Sequence, residues 1–78
     1  MESVFEHAVP YLLQACTNPK EASIVKHEGL VAIGEMINDP KIIEHLLLHE
    51  DPIVSESCAV AIQSIKNRLA AEAEWAAR

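Results

Sequence analysis

Aromatic residues are scarce: Phe5, Tyr11 and Trp75 are the whole complement of a 78-residue chain in which 50% of residues are hydrophobic. A core built from it must consist of Leu, Ile, Val and Ala, the usual filling between packed helices. Glycine is as rare, with two residues, and four prolines supply the remaining punctuation, so few turns are available. Six Lys and Arg stand against twelve Asp and Glu, giving a net charge of −6 with the four His neutral. No basic cluster exists, which argues against nucleic acid and against an anionic membrane surface as partner; a basic protein suits the charge better. No apolar run approaches the roughly 20 residues a membrane span needs. The opening MESVFEHAV carries two acids where a secretory signal has a basic region.

Cysteine is limited to Cys16 and Cys58. They lie far apart, outside any CxxC spacing and each within an apolar helical pattern, which predicts buried free thiols rather than a disulfide. The expectation is a soluble, cytoplasmic protein in a reducing compartment. A chain of this length buries only roughly 60% of its unfolded surface, so one thin core is the most it can build.

What is present is an internal repeat. Ile24-Val25-Lys26-His27-Glu28-Gly29-Leu30-Val31-Ala32-Ile33 can be laid over Ile53-Val54-Ser55-Glu56-Ser57-Cys58-Ala59-Val60-Ala61-Ile62, with Ile, Val, Val, Ala and Ile recurring in place. A shorter apolar segment precedes each copy, Val9 to Leu13 before the first and Asp39 to Ile43 before the second. This alternation of short and long segments is the rhythm of helical repeat arrays.

The punctuation predicts four helices. Pro10 reads as an early helical residue, where its missing N–H has no intrahelical partner to lose, so the first helix runs from about Ala8 to Thr17. Asn18-Pro19 breaks the chain, and the second helix follows from about Glu21 to Met36, with Ile24, Val25, Leu30, Val31, Ile33 and Met36 on its apolar face. Asp39-Pro40 and Asp51-Pro52 each place a cap residue before a proline, the pattern of a helix start. The third helix is thus expected over about Pro40 to His49, with Ile42, Ile43, Leu46 and Leu47 inward. The fourth starts near Pro52 and meets no breaker, its tail from Lys66 helical by propensity but clear of the core. The expected core is Leu12, Leu13, Val25, Ile33, Ile43, Leu46, Val54 and Ile62.

Chemistry has few candidates. His27-Glu28 lies inside the apolar stretch of a long helix, where the second copy has Glu56-Ser57. Consecutive helical residues project about 100° apart, so the pair can supply one nitrogen and one oxygen from one side of a helix, a donor set suited to non-haem iron. The plainer reading has His27 bonded to a neighbouring helix and Glu28 solvated. A zincin HExxH is excluded, because Val31 stands where its second His would be. His45 and His49 could share a metal from one helical face, with Glu44, Glu50 and Asp51 nearby, but they read more simply as the polar side of a short helix. His7 reads as surface. Cys58 pairs with Gly29 in the repeat, a small packing position, which favours a buried thiol over a nucleophile. There is no Gly-rich phosphate loop and no GxSxG.

Ile24-Val25-Lys26-His27-Glu28 with Ala32-Ile33-Gly34, followed by Asp51-Pro52-Ile53-Val54-Ser55-Glu56-Ser57-Cys58-Ala59-Val60-Ala61, resembles the last HE-bearing repeat and the closing repeat of the deoxyhypusine hydroxylase family, and Ala8-Val9-Pro10 with Leu12 resembles the helix leading into it. The resemblance covers about Ala8 to Ile65. It implies an all-α fold of two HEAT-like antiparallel helix pairs, a fragment of an α-solenoid, with repeats at about 8–37 and 39–65 and a helical tail at 66–78. In that family HEAT-like repeats form two halves that hold two irons through HE dyads, and the enzyme, a dioxygen-dependent monooxygenase, hydroxylates the deoxyhypusine side chain of a translation initiation factor. Carried over, His27 and Glu28 are an iron-ligand dyad, and no other position inherits a ligand role. Two departures stand out: Ser55 replaces the Arg expected before Glu-Ser-Cys, and one dyad is present where the family uses four.

The resemblance thus implies part of an iron-dependent hydroxylase, inactive alone, with the initiation factor as its protein partner. The alternative is a non-enzymatic HEAT-repeat module presenting an acidic surface to a basic protein. Two helix pairs leave apolar flanks at both ends of the stack, so self-association is expected under either reading.

Overall fold

Val9, Leu12, Leu13 and Cys16 recur at helical spacing, and this stripe continues straight across Pro10. The computed structural model, which describes residues 4–78, accordingly places the first helix, α1, at Val4–Thr17. Pro10 stands in its interior rather than near its start as the sequence suggested. The proline costs one intrahelical bond. Its ring is exposed, while the stripe on the other side packs on the core and holds the helix together. The next helix, α2, spans Ser23–Met36, and the last, α3, spans Pro52–Ala76.

Among the described residues three α-helices therefore stand where four were expected. The stretch expected as a helix over Pro40–His49 forms two 3-10 turns, Pro40–Ile42 and Glu44–Leu48. In 3-10 winding, residues three apart lie on one side, and burial follows that period. Ile43 and Leu46 are buried and Pro40 and His49 half-buried, whereas Ile42, Leu47 and Leu48 are exposed. The cause lies at the Ile43 carbonyl. It accepts the Leu46 N–H at 2.9 Å and the Cys58 thiol at 3.0 Å, so it is engaged by partners other than the Leu47 N–H that an α-helix would direct to it. The caps are where the sequence put them: Asp39 Oδ1 accepts from the Lys41 N–H at 3.0 Å and Asp51 Oδ1 from the Ile53 N–H at 2.9 Å, each with proline next in the chain.

The long helices stack through a series of paired contacts. Lys26 meets Asp51, His27 meets Ser57, Gly34 meets Ala61, and the Arg68 guanidinium reaches the carbonyls of Gly34 and Ile37. Partners advance together along both chains, so α2 and α3 lie side by side and parallel, with α1 packed on α2 and the 3-10 segment on α3. A Cβ on Gly34 would stand 3.1 Å from Ala61 Cβ and 3.2 Å from its Cα, which is the closeness that glycine permits.

A cysteine sulfur lies between each long helix and the shorter segment packed on it, but from opposite sides. In the first, Cys16 of α1 lies over Gly29 of α2; in the second, the equivalent long-helix position is Cys58 itself, whose thiol donates to Ile43 of the short segment. Both cysteines are free and buried as expected, and burial pushes both thiols up from their ordinary range.

The core joins Leu30, Ile33 and Ile37 with Ile43, Leu46, Val54, Ala61, Ile62 and Ile65. Of the expected set, Ile33, Ile43, Leu46, Val54 and Ile62 are in it and Leu12 and Leu13 are half-buried against it, but Val25 is 40% exposed. The inward stripe of α2 is Lys26, Leu30, Ile33 and Ile37, so Val25 is turned about 100° off it. Lys26 can occupy a core-facing position, 7% exposed, because its ammonium lies 2.6 Å from Asp51 Oδ2. Beyond Leu69 every residue of α3 is exposed, Trp75 included, and Arg78 lies over the Trp75 ring. No helix among the described residues is long and apolar enough to cross a membrane.

Two outcomes follow from these contacts. A Cβ on Gly29 would come within 2.5 Å of the Cys16 sulfur, so Gly29→Ala is expected to cost about 1–3 kcal/mol by overpacking. Adding Cys16→Ala should recover part of that loss, as a double-mutant cycle in denaturant would record. Asp51 is held below the usual carboxyl range, first by the hydrogen bond from Lys26 and then by the Ile53 N–H. The unfolded chain takes up this proton first, near about pH 3.9. The stabilisation is therefore complete above that pH and is lost as pH falls toward the lower folded-state value. Asp51→Asn keeps the cap oxygen and removes the charge; it should melt lower at neutral pH and decline less steeply in acid, and an unchanged acid limb would count against the ion pair.

Candidate metal-binding dyad

His27 and Glu28 lie on the second turn of α2, two neighbours whose side chains leave the helix about 100° apart. That angle separates them. The His27 ring is half-buried on the side facing α3, in an open cleft of about 410 Å³ shared with Ser23, Ile53, Glu56 and Val60. Glu28 is exposed and opens instead on a shallower cleft of about 340 Å³ between α1 and α2, with Leu12, Ala15, Val25 and Gly29. Ile24, one turn before both and 65% exposed, borders the two clefts.

The ring itself is anchored. His27 Nδ1 lies 2.8 Å from Ser57 Oγ, and Ser57 is 4% exposed on α3. The plainer reading of the sequence, a bond from His27 to a neighbouring helix with Glu28 solvated, matches this contact, although the sequence did not identify Ser57 as the partner. Laying the repeats over each other sets Ser57 opposite Glu28, and only the offset between the stacked helices brings it to His27. A hydroxyl beside an imidazole is also the contact of a nucleophile and its base, but Ser57 is 4% exposed, and among the described residues no third group is hydrogen-bonded to the ring.

As donors, one imidazole and one carboxylate suit ferrous iron in kind. In number they fall short, for the described residues contain no group of three or more His, Cys, Asp or Glu that could hold an ion. His45 and His49 do not form a pair. Four residues apart in 3-10 winding they face different sides, and His49 Nδ1 already accepts the Asp51 N–H at 3.0 Å. His7 is exposed. Glu44 and Glu50 are exposed, and Asp51 is engaged by Lys26 and its own cap.

Comparison with known proteins gives one consistent result. The deoxyhypusine hydroxylase of Gibberella zeae is 33% identical over 72 residues, covering 88% of this chain and 21% of that protein. That of Schizosaccharomyces pombe is 30% identical over 71 residues, with 88% and 22% covered, and that of Neurospora crassa 33% identical over 72 residues, again with 88% and 22% covered. No protein-family model matches the chain, and no solved structure matches it. Along nearly all its residues the chain is similar to deoxyhypusine hydroxylases, and it spans about a fifth of the length of the curated relatives it matches.

Proposed function

We propose that this chain is a two-repeat unit of a deoxyhypusine hydroxylase-type protein, with repeats at 8–37 and 39–65 and a tail at 66–78, and that His27 and Glu28 are one iron-binding dyad within it. The observation that carries the reading is the held imidazole. With Nδ1 engaged by Ser57 at 2.8 Å, Nε2 is the ring nitrogen left for a ligand, and His27 borders the cleft, the arrangement usual for a histidine that ligates a metal. Glu28 is exposed one position on and can supply an oxygen without losing another partner.

Bound there, iron would supply the activation of dioxygen that hydroxylation of an unactivated side chain requires. The chain's own part is narrower. It holds one nitrogen and one oxygen on a rigid helix and flanks them with the apolar surfaces of Ile24, Val25, Ile53 and Val60, which limit water once covered. Two donors cannot complete an iron site, so the unit is inactive alone. The missing ligands come from another segment of a longer protein or from a second copy of this chain. The substrate in this reading is a protein side chain carrying a terminal amine, the deoxyhypusine of a translation initiation factor, whose positive charge matches the acidic balance of the chain; the site of action is the cytoplasm.

The alternative, an interaction module without metal, draws on the same apolar surfaces and the same charge. Anaerobic titration with ferrous iron separates the two. Binding that is lost in His27→Ala and weakened in Glu28→Gln supports the dyad, while uptake equal in all three chains leaves the module. Light scattering in the same titration shows whether a second copy completes the site: a rise in mass that needs both iron and His27 indicates a shared ion.

A further inference from the structure

We infer that Ser57 is the positioning residue of this site: its hydroxyl occupies Nδ1 of His27, accepting the Nδ1–H in the tautomer with Nε2 unprotonated, and so leaves Nε2 as the nitrogen offered to a metal. The inference deepens the proposed function and rests on it for the identity of the ligand, but the tautomer can be read without any metal.

The argument starts from an asymmetry in the ring. A neutral imidazole carries one N–H and one lone pair; a hydroxyl can donate to Nδ1 or accept from it, and only when it accepts is Nε2 bare for a metal. In water the proton of a free histidine prefers Nε2, the wrong nitrogen for ligation from that end. Here Nδ1 faces a buried hydroxyl at 2.8 Å while the ring edge lines the open cleft. Ser57 stands on a helix that cannot drift away from His27. Lys26, the residue before His27, is tied to Asp51 at the start of α3; Gly34 lies against Ala61, and Arg68 clasps the end of α2. The hydroxyl is thus held from both directions along the helix pair, in the manner of an outer partner that orients a ligating histidine. Its residue type has a reason too. The Cβ of Ser57 is buried between the helices, and serine is the smallest side chain that brings an oxygen to the ring.

The decisive measurement is the nitrogen-15 spectrum of the His27 ring in the metal-free chain at a pH where it is neutral. Two-bond and three-bond correlations from the ring protons identify the protonated nitrogen. The expected result is Nδ1 protonated and Nε2 bare. In Ser57→Ala the population should move to the Nε2–H form, and ferrous affinity should fall about 10- to 100-fold. Ser57→Thr, which retains the hydroxyl, should restore both, and circular dichroism checks that each variant is folded. A wild-type ring protonated at Nε2 overturns the inference whether or not any variant folds. So does a Ser57→Ala chain with unchanged tautomer and unchanged iron affinity. If the ring is protonated at Nδ1 and depends on Ser57, but iron binding does not depend on His27, the positioning stands and the dyad reading of the proposed function is what fails.

Discussion

The close approach of Gly34 to Ala61 is the contact on which the rest of this molecule depends. With no side chain on one helix and a methyl on the other, α2 and α3 come near enough for backbone to meet side chain. The short polar groups at the other end of the pair can then touch. His27 and Ser57 have between them only an imidazole and a hydroxymethyl to span the gap, and they span it at 2.8 Å. Arg68 uses the same proximity to cap the end of α2, donating to Gly34 O at 2.9 Å and to Ile37 O, carbonyls that no later turn of α2 is there to satisfy. A larger residue at 34 would force the helices apart along their whole length, and the polar contacts would lengthen first because they have no slack.

Polar order at the start of the pair is set by Asp51. One oxygen caps α3 and the other neutralises Lys26, so a single carboxylate both begins a helix and permits a cation in the core. That double use explains how a chain with so little hydrophobic bulk can place a lysine inward. The aliphatic stem of Lys26 fills volume beside Leu30, and the charge is met at its tip.

Much of this was legible in the residues. Asp39-Pro40 and Asp51-Pro52 announce their own caps because the mechanism is local, and the repeat of Ile24–Ile33 in Ile53–Ile62 reveals that two long helices are equivalent. Sequence alone could not tell that the segment between them winds as 3-10. Ile42, Ile43, Leu46 and Leu47 satisfy an α-helical pattern just as well, and the decision is made by the Cys58 thiol reaching the Ile43 carbonyl from another helix. Pro10 misled for a related reason, since a stripe of contacts to α2 outweighs a local penalty. At the dyad, sequence singled out His27 and Glu28 but not the angle that sends them into separate clefts. Ser57 was beyond reach, because repeat equivalence pairs it with the wrong residue until the offset of the stacked helices is known.

The placement of Trp75 has a practical corollary. It is the sole indole in the chain, it sits 75% exposed on the free part of α3, and Arg78, one turn on, lies over its ring. Its emission therefore reports the hydration and fraying of the last turns of one helix and is nearly blind to whether the leucines and isoleucines below are packed. An observer following intrinsic fluorescence through a melt would watch the flagpole while the building came down. Amide signals or probes placed on the buried thiols are the channels through which this small core can be seen.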